Sequence, residues 1–561
     1  MEATDPNSGT NPFPSNDQQT IVRPLANYQP NQWDYASIQT ITNDYKEEAY
    51  GSLAKELKEE VKLMFNGIEP LAQLRLIDWV ERLGLGYHFE VEINVLLNGL
   101  LSVGYHKMVL KNGLHATAVL FRLLRQHGYM VSEEIFYEFK DNNGNFMASL
   151  SQDVKGLMAL YEASYLSFDG ESTLDLAREF AVRNLNDQLD ASRLAHAMEL
   201  PSHWRLPRLE IRRYIHIYEM EEDMNSTLLC LAKIDFNMVQ NIHQRELIKA
   251  TCWWTRVGLA KKLSFARDRI LEVFFGAVNI IFQPQFPCCL EWLPRIGAQI
   301  IILDDIYDAY GSFDELKLFT GVIERWEIKD TENLPECMRI CFEAISSTCN
   351  EMAHKIQRLD GWEILAHLKK MWADLCKSFL LEAKWNHTKY IPTFDEYLNN
   401  GWISVSGPLI LFHVEVLLRQ EQAKATLKVF ENCQRLVKLS STIFRLCNDL
   451  ATSSAELERD EGPTSIQCYM NEVGVSEVVA REHISNVISN TWKEMNREFV
   501  VCSSSSRPFL NACISLARMT ICLYQYRDGF GIPNQEIKEY IMSLLIKPIA
   551  FTENGIPSVR R

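Results

Sequence analysis

The chain has 561 residues, which is too long for one ordinary domain, so at least two domains are expected. Apolar residues make up 47% of the sequence and charged residues 23%, a balance that supports large buried cores and excludes a disordered or low-complexity chain. The net charge is −16 and basic blocks are absent, which argues against a nucleic-acid-binding protein and against an anionic membrane surface as the main partner.

The first 22 residues are predicted to form a disordered tail. They are polar and lack the apolar segment of a secretory signal. Glu2, Asp5 and Asp17 precede the first basic residue, Arg23, whereas transit peptides are rich in arginine and poor in acids. No apolar run approaches the ~20 residues of a membrane span. We therefore expect a cytoplasmic protein without a membrane span.

The rest of the chain shows the spacing of helices. Leu53, Leu57, Val61 and Met64 recur every three or four residues with charged residues between them, and this pattern continues almost to the C-terminus. Long alternating runs of apolar and polar residues, typical of strands, are absent. The sequence predicts an all-α fold.

Two helical domains are predicted, spanning 23–224 and 225–561. The boundary follows an acidic stretch, EMEEDMN, and precedes a long helix that starts near Thr227. No fixed-period repeat accompanies these segments.

Two arginines stand close together in FARDRILEVFF, at Arg267 and Arg269, and a third, Arg445, lies one helical turn before Asn448. Guanidinium groups suit phosphate oxygens, especially where water is scarce. A lone arginine is more often part of a surface salt bridge. The joint placement of these arginines beside two acidic motifs favours anion binding.

An acidic motif follows a fully apolar turn in IILDDIYDAYGS. On a helix, Asp304 and Asp308 would share one face, with Asp305 beside them. Like charges at this spacing repel, and a hard cation such as Mg²⁺ removes that conflict. The alternative is a solvated helix end.

A second motif, NDLATSSAE, places Asn448, Thr452 and Glu456 at four-residue intervals, as one stripe about 12 Å long on a helix. Amide, hydroxyl and carboxylate groups are all oxygen donors that suit Mg²⁺. Asp449 points to another face and is not expected to be a ligand. With the arginines, the two motifs predict a diphosphate held by several Mg²⁺ ions. The sequence contains no Ser-His-Asp or Cys-His pattern and no Gly-rich phosphate loop to compete with this interpretation.

These motifs resemble those of plant class I terpene synthases. The similarity runs from RPLANYQPNQW at Arg23 through FARDR, DDIYD and NDLATSSAE to YRDGFG. Segments such as WADLCKSFLLEAKW and WISVSGPLIL resemble the subfamily that holds most angiosperm monoterpene synthases and some sesquiterpene synthases, including α-farnesene synthases.

The resemblance implies an N-terminal helical barrel, similar to class II cyclases but non-catalytic because a DxDD motif is absent, and a C-terminal class I catalytic bundle. It implies three Mg²⁺ ions, with Mn²⁺ as a possible substitute, a prenyl diphosphate substrate and a monomer. It also assigns roles to particular residues: two Mg²⁺ on Asp304, Asp305 and Asp308, the third on Asn448, Thr452 and Glu456, diphosphate contacts from Arg267, Arg269 and Arg445, and a lid around Tyr526–Gly531 with Asp528 and Phe530 facing the cavity.

The sequence departs from the family pattern at several positions. Gly276 stands where the family usually has Trp, which removes an aromatic face for a carbocation and enlarges the pocket. Trp254 or Phe530 could fill the same role. Thr464 replaces a common Lys, and Asn279 interrupts an apolar run, either to bond its own helix or to guide a water molecule.

The resemblance, its departures and the polar N-terminus together predict a cytoplasmic, Mg²⁺-dependent enzyme that converts farnesyl diphosphate into an acyclic, farnesene-like sesquiterpene. One alternative is a monoterpene synthase that forms an ocimene, myrcene or linalool type of product from geranyl diphosphate. A chain-elongating prenyltransferase would need a second aspartate-rich motif. A catalytically inactive helical scaffold would be expected to carry a broken metal motif.

Overall fold

The fold is described from a computed structural model, in which residues 28–102, 105–186, 199–419, 423–459, 462–502, 507–525, 527–531 and 534–551 are described. The predicted disordered tail, residues 1–22, and Arg23, where the segment RPLANYQPNQW starts, lie outside these residues. The prediction of an all-α fold is confirmed. Among the described residues, the only β-type pairing is an isolated antiparallel bridge between Lys140 and Phe146.

The first part of the chain is built from helices joined by short 3-10 turns. Its α-helices are Tyr35–Gln39, Glu47–Met64, Pro70–Arg82, Glu90–Ser102, Tyr105–Gln126, Val154–Ser164, Ser172–Asn186 and Pro207–Tyr218. Gly113 has a φ of 76°, so the fifth of these helices is kinked there. Such a left-handed conformation favours glycine.

The second part contains longer helices and holds the predicted motifs. Its α-helices are Ser226–Val257, Leu259–Lys262, Ile270–Ile280, Pro287–Asp305, Phe313–Arg325, Glu336–Asp360, Leu365–Thr388, Phe394–Ser404, Gly407–Leu418, Ala423–Asn432, Gln434–Arg459, Ser465–Val473, Glu477–Val501, Arg507–Tyr524 and Gln535–Ile541. The helix predicted to start near Thr227 begins at Ser226, where the Asn225 side chain accepts a hydrogen bond from Leu228 N at 3.0 Å. The domain boundary itself stays a prediction.

The helix Ser226–Val257 is largely buried and packs against Ile270–Ile280 and Pro287–Asp305. Three amide side chains on it hold the C-terminal segment. Asn237 exchanges hydrogen bonds with the backbone of Ile549, while Gln240 and Gln244 donate to backbone carbonyls between residues 543 and 547. These carbonyls lie in and just after a π-helical turn, Met542–Ile546, at the end of the helical segment, where backbone carbonyls lack partners within the helix and need others when buried.

The two parts of the chain are joined by a buried polar contact. His203 Nε2 lies 2.9 Å from Asn496 Oδ1, and Arg518 donates to the His203 backbone carbonyl at 2.6 Å. Asn496 also donates to the backbone carbonyls of Tyr165 and Ser167. The contact fixes the first part against the helices Glu477–Val501 and Arg507–Tyr524, which both pack against the helix Gln434–Arg459 that carries the second motif.

One stretch, Phe394–Leu418, is long and apolar enough to cross a membrane by length and composition. The backbone at Ser406 has a φ of 67° and separates two helices there. Since 78% of the most apolar window is buried inside the protein, this stretch is a core element of the bundle.

Candidate active site

The acidic motif lies at the end of the apolar helix Pro287–Asp305. Ile302 and Leu303 are buried, Asp305 is fully buried, and the side chain of Asp304 is 33% exposed. Asp308 is exposed. The apolar side chains before the motif are therefore buried, whereas its carboxylates range from fully buried at Asp305 to exposed at Asp308.

The backbone around the motif differs from a regular helix. The α-helix ends at Asp305, and a π-helical turn runs from Ile306 to Tyr310. Asp304 and Asp308 therefore do not share one continuous α-helix. Ser312 then starts the next helix through a capping box with Glu315. Single π-turns are uncommon and are often found at functional sites.

Arg267 binds the acidic motif directly. Its backbone N–H donates to Asp305 Oδ2 at 2.7 Å, and its Nη2 donates to Asp304 Oδ2 at 2.5 Å. Arg267 Nε lies 2.8 Å from Asp305 Oδ1, an ion pair without the geometry of a hydrogen bond. Burial raises the pKa of Asp305 to about 6, against the opposing pull of Arg267. The pair thus places a cation beside the carboxylates.

The second motif lies on the helix Gln434–Arg459. Thr452 is buried and donates its hydroxyl to the Asn448 backbone carbonyl at 2.9 Å, while Asn448 and Glu456 are half-buried. Asp449 points elsewhere: it is fully buried and accepts hydrogen bonds from Tyr397 and from Ser465 N. The sequence spacing places Asn448, Thr452 and Glu456 on one stripe of this helix.

Tyr524 joins the two motifs, and sequence reasoning missed it. Burial raises the pKa of its hydroxyl, and the charges of Asp528, Arg267 and Asp304 and a hydrogen bond with Asn448 also act on it. Its hydroxyl therefore lies among residues from four separate parts of the chain. The only signal in the sequence was its position four residues before Asp528.

Arg445 is held by a group of polar partners. It donates to the Ser404 hydroxyl at 2.7 Å, to the Gly401 carbonyl at 3.3 Å and to Asn448 Oδ1 at 3.4 Å. Glu382 Oε1 lies 3.8 Å from Arg445 Nη2. Glu382 has a pKa that burial raises, and Asp304 is among the charges that act on it. Glu382 was also missed, because nothing near it in sequence marks it.

Arg269 has other partners than Arg267. It is 3% exposed, and its guanidinium donates to backbone carbonyls only.

Asp528 accepts hydrogen bonds from Phe530 N and Gly531 N and thereby closes a tight turn. Phe530 is half-buried, 6.4 Å from the ring of Tyr524. Tyr526, part of the predicted lid, lies outside the described residues.

The wall formed by the helix Ile270–Ile280 is buried and contains space. A Cβ atom at Gly276 would meet only Met519 Sδ, at 3.8 Å, which is ordinary contact. Asn279 donates to the Phe275 carbonyl at 2.8 Å, so its amide bonds its own helix, and its Oδ1 has no partner. The Trp254 indole donates to Asp268 at 2.7 Å.

The predicted metal ligands fit a hard cation by chemistry. Asp304, Asp308, Asn448, Thr452 and Glu456 all offer oxygen, and one oxygen of Asp305 is buried without a hydrogen bond. Within the described part of the chain, no group of three or more His, Cys, Asp or Glu side chains is already gathered as a metal cluster. Because Arg267 engages the Asp304 and Asp305 carboxylates, a metal there would have to share or displace its contacts.

Comparisons with known proteins cover most of the chain. Residues 32–203 match the family model "Terpene synthase, N-terminal domain", and residues 255–494 match "Terpene synthase family, metal binding domain". The chain is 46% identical to a (−)-alpha-terpineol synthase of Vitis vinifera, over 95% of this chain and 92% of that protein. It is 44% identical to a chloroplastic myrcene synthase of Quercus ilex, over 95% of this chain and 91% of that protein.

Solved structures agree with these matches. Isoprene synthase from grey poplar leaves, in complex with three Mg²⁺ ions and dimethylallyl-S-thiolodiphosphate, superposes with a TM-score of 0.84 at 43% identity, covering 93% of this chain and 99% of that chain. Limonene synthase with 2-fluorolinalyl diphosphate gives a TM-score of 0.87 at 35% identity, covering 94% and 100%.

The expectation of a cytoplasmic protein is wrong. The myrcene synthase of Quercus ilex, the alpha-thujene synthase of Litsea cubeba and the isoprene synthase of Populus alba, each 43–44% identical to this chain, are all named chloroplastic. The argument from acidic residues near the N-terminus therefore does not decide the compartment.

Proposed function

The chain belongs to the terpene synthase family, and we propose that it is a Mg²⁺-dependent monoterpene synthase that acts on geranyl diphosphate. The observation that carries this proposal is 44–46% identity, over nearly the whole chain, to relatives named for the monoterpene products terpineol, myrcene and thujene. The same names favour a monoterpene synthase that acts on geranyl diphosphate over the sesquiterpene synthase that the sequence suggested. Several of the relatives are named chloroplastic, which supports a plastid location. The monomeric state stays a prediction.

We propose that the oxygen ligands of the two motifs, Asp304 and Asp308 on one side and Asn448, Thr452 and Glu456 on the other, hold the Mg²⁺ ions. When bound, these ions neutralise diphosphate charge and assist its departure. The side chain of Asp305, which the sequence predicted as a metal ligand, is fully buried against Arg267, and we propose that it orients this arginine.

The arginines of the site stabilise the diphosphate as it leaves. Arg267 and Arg445 are oriented by carboxylates, with Asp305 behind the first and Glu382 beside the second. Such preorganised cations stabilise developing negative charge without further rearrangement. The buried apolar wall around Gly276 excludes water, so that the allylic cation is quenched by proton loss or by a selected water molecule.

A second candidate is the sesquiterpene synthase that the sequence suggested, and one observation favours it. The space at Gly276, bounded only by Met519 Sδ at 3.8 Å, enlarges the pocket on the wall where the family usually has an indole. This space supports acceptance of farnesyl diphosphate as an additional substrate.

The test is a product profile. Purified protein is incubated with Mg²⁺ and, separately, with geranyl and farnesyl diphosphate, and volatiles are identified by gas chromatography–mass spectrometry. Higher kcat/KM with geranyl diphosphate supports the proposal, and higher kcat/KM with farnesyl diphosphate supports the second candidate. If neither substrate is consumed, both are contradicted.

A further inference from the structure

Two chain segments meet at Arg269, although they are far apart in sequence. We call residues 28–35 the N-terminal segment and residues 527–531 the C-terminal turn. Arg269 Nη2 donates to the Gln29 carbonyl at 2.6 Å in the N-terminal segment. Its Nε donates to the Phe530 carbonyl at 2.8 Å, and Nη2 also reaches the Gly531 carbonyl at 3.3 Å, in the C-terminal turn.

The guanidinium of Arg269 is almost fully used by these contacts. A fourth hydrogen bond runs from Nη1 to the carbonyl of Asp268, and the residue is 3% exposed. A guanidinium carries five N–H donors, and four of those of Arg269 donate to backbone carbonyl oxygens. Arg269 could bind a diphosphate only if it broke hydrogen bonds that hold the two segments.

Two acidic residues near Arg269 form further hydrogen bonds with the N-terminal segment. Asp268 Oδ1 accepts a hydrogen bond from the Tyr35 hydroxyl at 2.5 Å. Glu272 Oε1 accepts one from the Trp33 indole at 2.9 Å, and Glu272 is itself 4% exposed. The N-terminal segment is therefore seated on residues 268–272 by side chains as well as by its backbone.

Both segments also reach the site. The ring of Tyr28 lies 4.8 Å from the guanidinium carbon of Arg267, and Tyr28 bonds with Asp305. On the other side, Asp528 of the C-terminal turn is among the charges that act on Arg267 and on Tyr524. The junction at Arg269 thus lies next to the residues expected to meet the diphosphate.

We propose that Arg269 is a positioning residue that ties the N-terminal segment to the C-terminal turn at the entrance of the site, and so excludes water from the reacting cation. The exclusion of water rests on the proposed function, whereas the tie between the two segments does not. Arg267 differs in kind, because its partners are the carboxylates of Asp304 and Asp305. The two neighbouring arginines therefore have separate tasks.

The test compares Arg269→Gln with the wild-type protein by hydrogen–deuterium exchange without substrate. We expect exchange in peptides that cover both segments to rise about tenfold, since their shared anchor is lost. With geranyl diphosphate, we expect the share of alcohols formed by water capture to rise. Arg269→Lys keeps the charge but has a single donor nitrogen, so it should recover part of both effects.

A milder matched variant keeps the test informative if Arg269→Gln does not fold. Tyr35→Phe removes the hydroxyl by which the N-terminal segment is bonded to Asp268, so exchange should rise in that segment and not in the C-terminal turn. Unchanged exchange in either segment of Arg269→Gln overturns the proposal. A loss of pyrophosphate inhibition by about tenfold with unchanged exchange would assign Arg269 to the diphosphate instead. Because exchange is measured without substrate, failure of the monoterpene proposal leaves this result interpretable.

Discussion

Arg267 and Asp305 are joined twice, through the backbone N–H of Arg267 to Asp305 Oδ2 at 2.7 Å and through Arg267 Nε at 2.8 Å from Asp305 Oδ1. Asp305 is fully buried, so the pair is shielded from solvent on the side of the carboxylate. It leaves Arg267 Nη2 directed at Asp304, which is partly exposed. The adjacent aspartates therefore do different work: one orients an arginine and the other faces the site.

Substitution should separate these two roles. Asp305→Asn is expected to lower the free energy of unfolding by about 3 kcal/mol, because it leaves Arg267 buried against a neutral group. Asp304→Asn, at a partly exposed position, should change stability by less than about 0.5 kcal/mol yet abolish pyrophosphate release. Denaturant unfolding and a pyrophosphate assay on both variants check this, and equal destabilisation by the two substitutions would refute the division.

Tyr524→Phe tests the residue that joins the motifs. Removing its hydroxyl deletes the hydrogen bond with Asn448 but keeps the ring. We expect kcat to fall by up to about tenfold, the value of one hydrogen bond, with little change in KM. Tyr161→Phe, whose hydroxyl lies 3.4 Å from Tyr165 in the first part of the chain, serves as the control and should leave kcat unchanged. A normal kcat in Tyr524→Phe would remove Tyr524 from the site.

Gly276 should control the size of the accepted substrate. Gly276→Ala places a Cβ at ordinary contact distance from Met519, so activity should persist. Gly276→Trp fills the space, and we expect the ratio of kcat/KM for farnesyl over geranyl diphosphate to fall by about tenfold or more. An unchanged ratio would show that this wall does not contact the substrate chain.

The C-terminal turn requires glycine at position 529. A Cβ there would lie 2.4 Å from the backbone oxygen of Leu523, so Gly529→Ala must displace the turn that carries Asp528. We expect kcat/KM to fall, because the displaced turn carries Asp528, whose charge acts on Arg267 and Tyr524. Gly99→Ala, where nothing lies within 4 Å, is the matched control. Full activity of Gly529→Ala would contradict a role for the turn.

Acid should weaken the contact between the two parts of the chain. Burial lowers the pKa of His203 to about 3, well below the ordinary value of about 6.5. Below about pH 6.5 the unfolded chain therefore binds a proton at this position, whereas the folded protein does not. The free energy of unfolding should fall by about 1.4 kcal/mol per pH unit as the pH drops below about 6.5. His243 and His413, also buried with lowered pKa values, act in the same direction.

The variant His203→Gln isolates one of these contributions. In the wild-type protein His203 Nδ1 also lies 3.2 Å from Arg518 Nη2. A glutamine amide can still donate to Asn496 and accept from Arg518, but it does not titrate. Denaturant midpoints measured at neutral pH and near pH 5 should show a shallower loss than in the wild-type protein. An identical slope would mean that His203 is not the titrating group.

The sequence predicted the parts of the site that are local. Asp304, Asn448 and Arg267 were found because their spacing and residue types carry meaning within a single segment. Tyr524, Glu382 and the carbonyl partners of Arg269 were not found, because each depends on contacts between segments far apart in the chain. Arg269, for example, bonds Gln29 and Phe530 across 240 and 261 residues. The π-turn after Asp305 was missed for another reason, since the apolar spacing of a π-turn resembles that of a helix over so short a stretch.

The central claim is that the two oxygen-rich motifs act together on one diphosphate with Mg²⁺. The most direct measurement is pyrophosphate release from geranyl diphosphate by the wild-type protein, by Asp304→Asn, by Asn448→Ala and by the double variant, each with Mg²⁺ and with excess chelator. The account predicts release by the wild type only, its loss with chelator, and no further loss in the double variant beyond either single one. Metal-independent release, or full activity in either single variant, would contradict it.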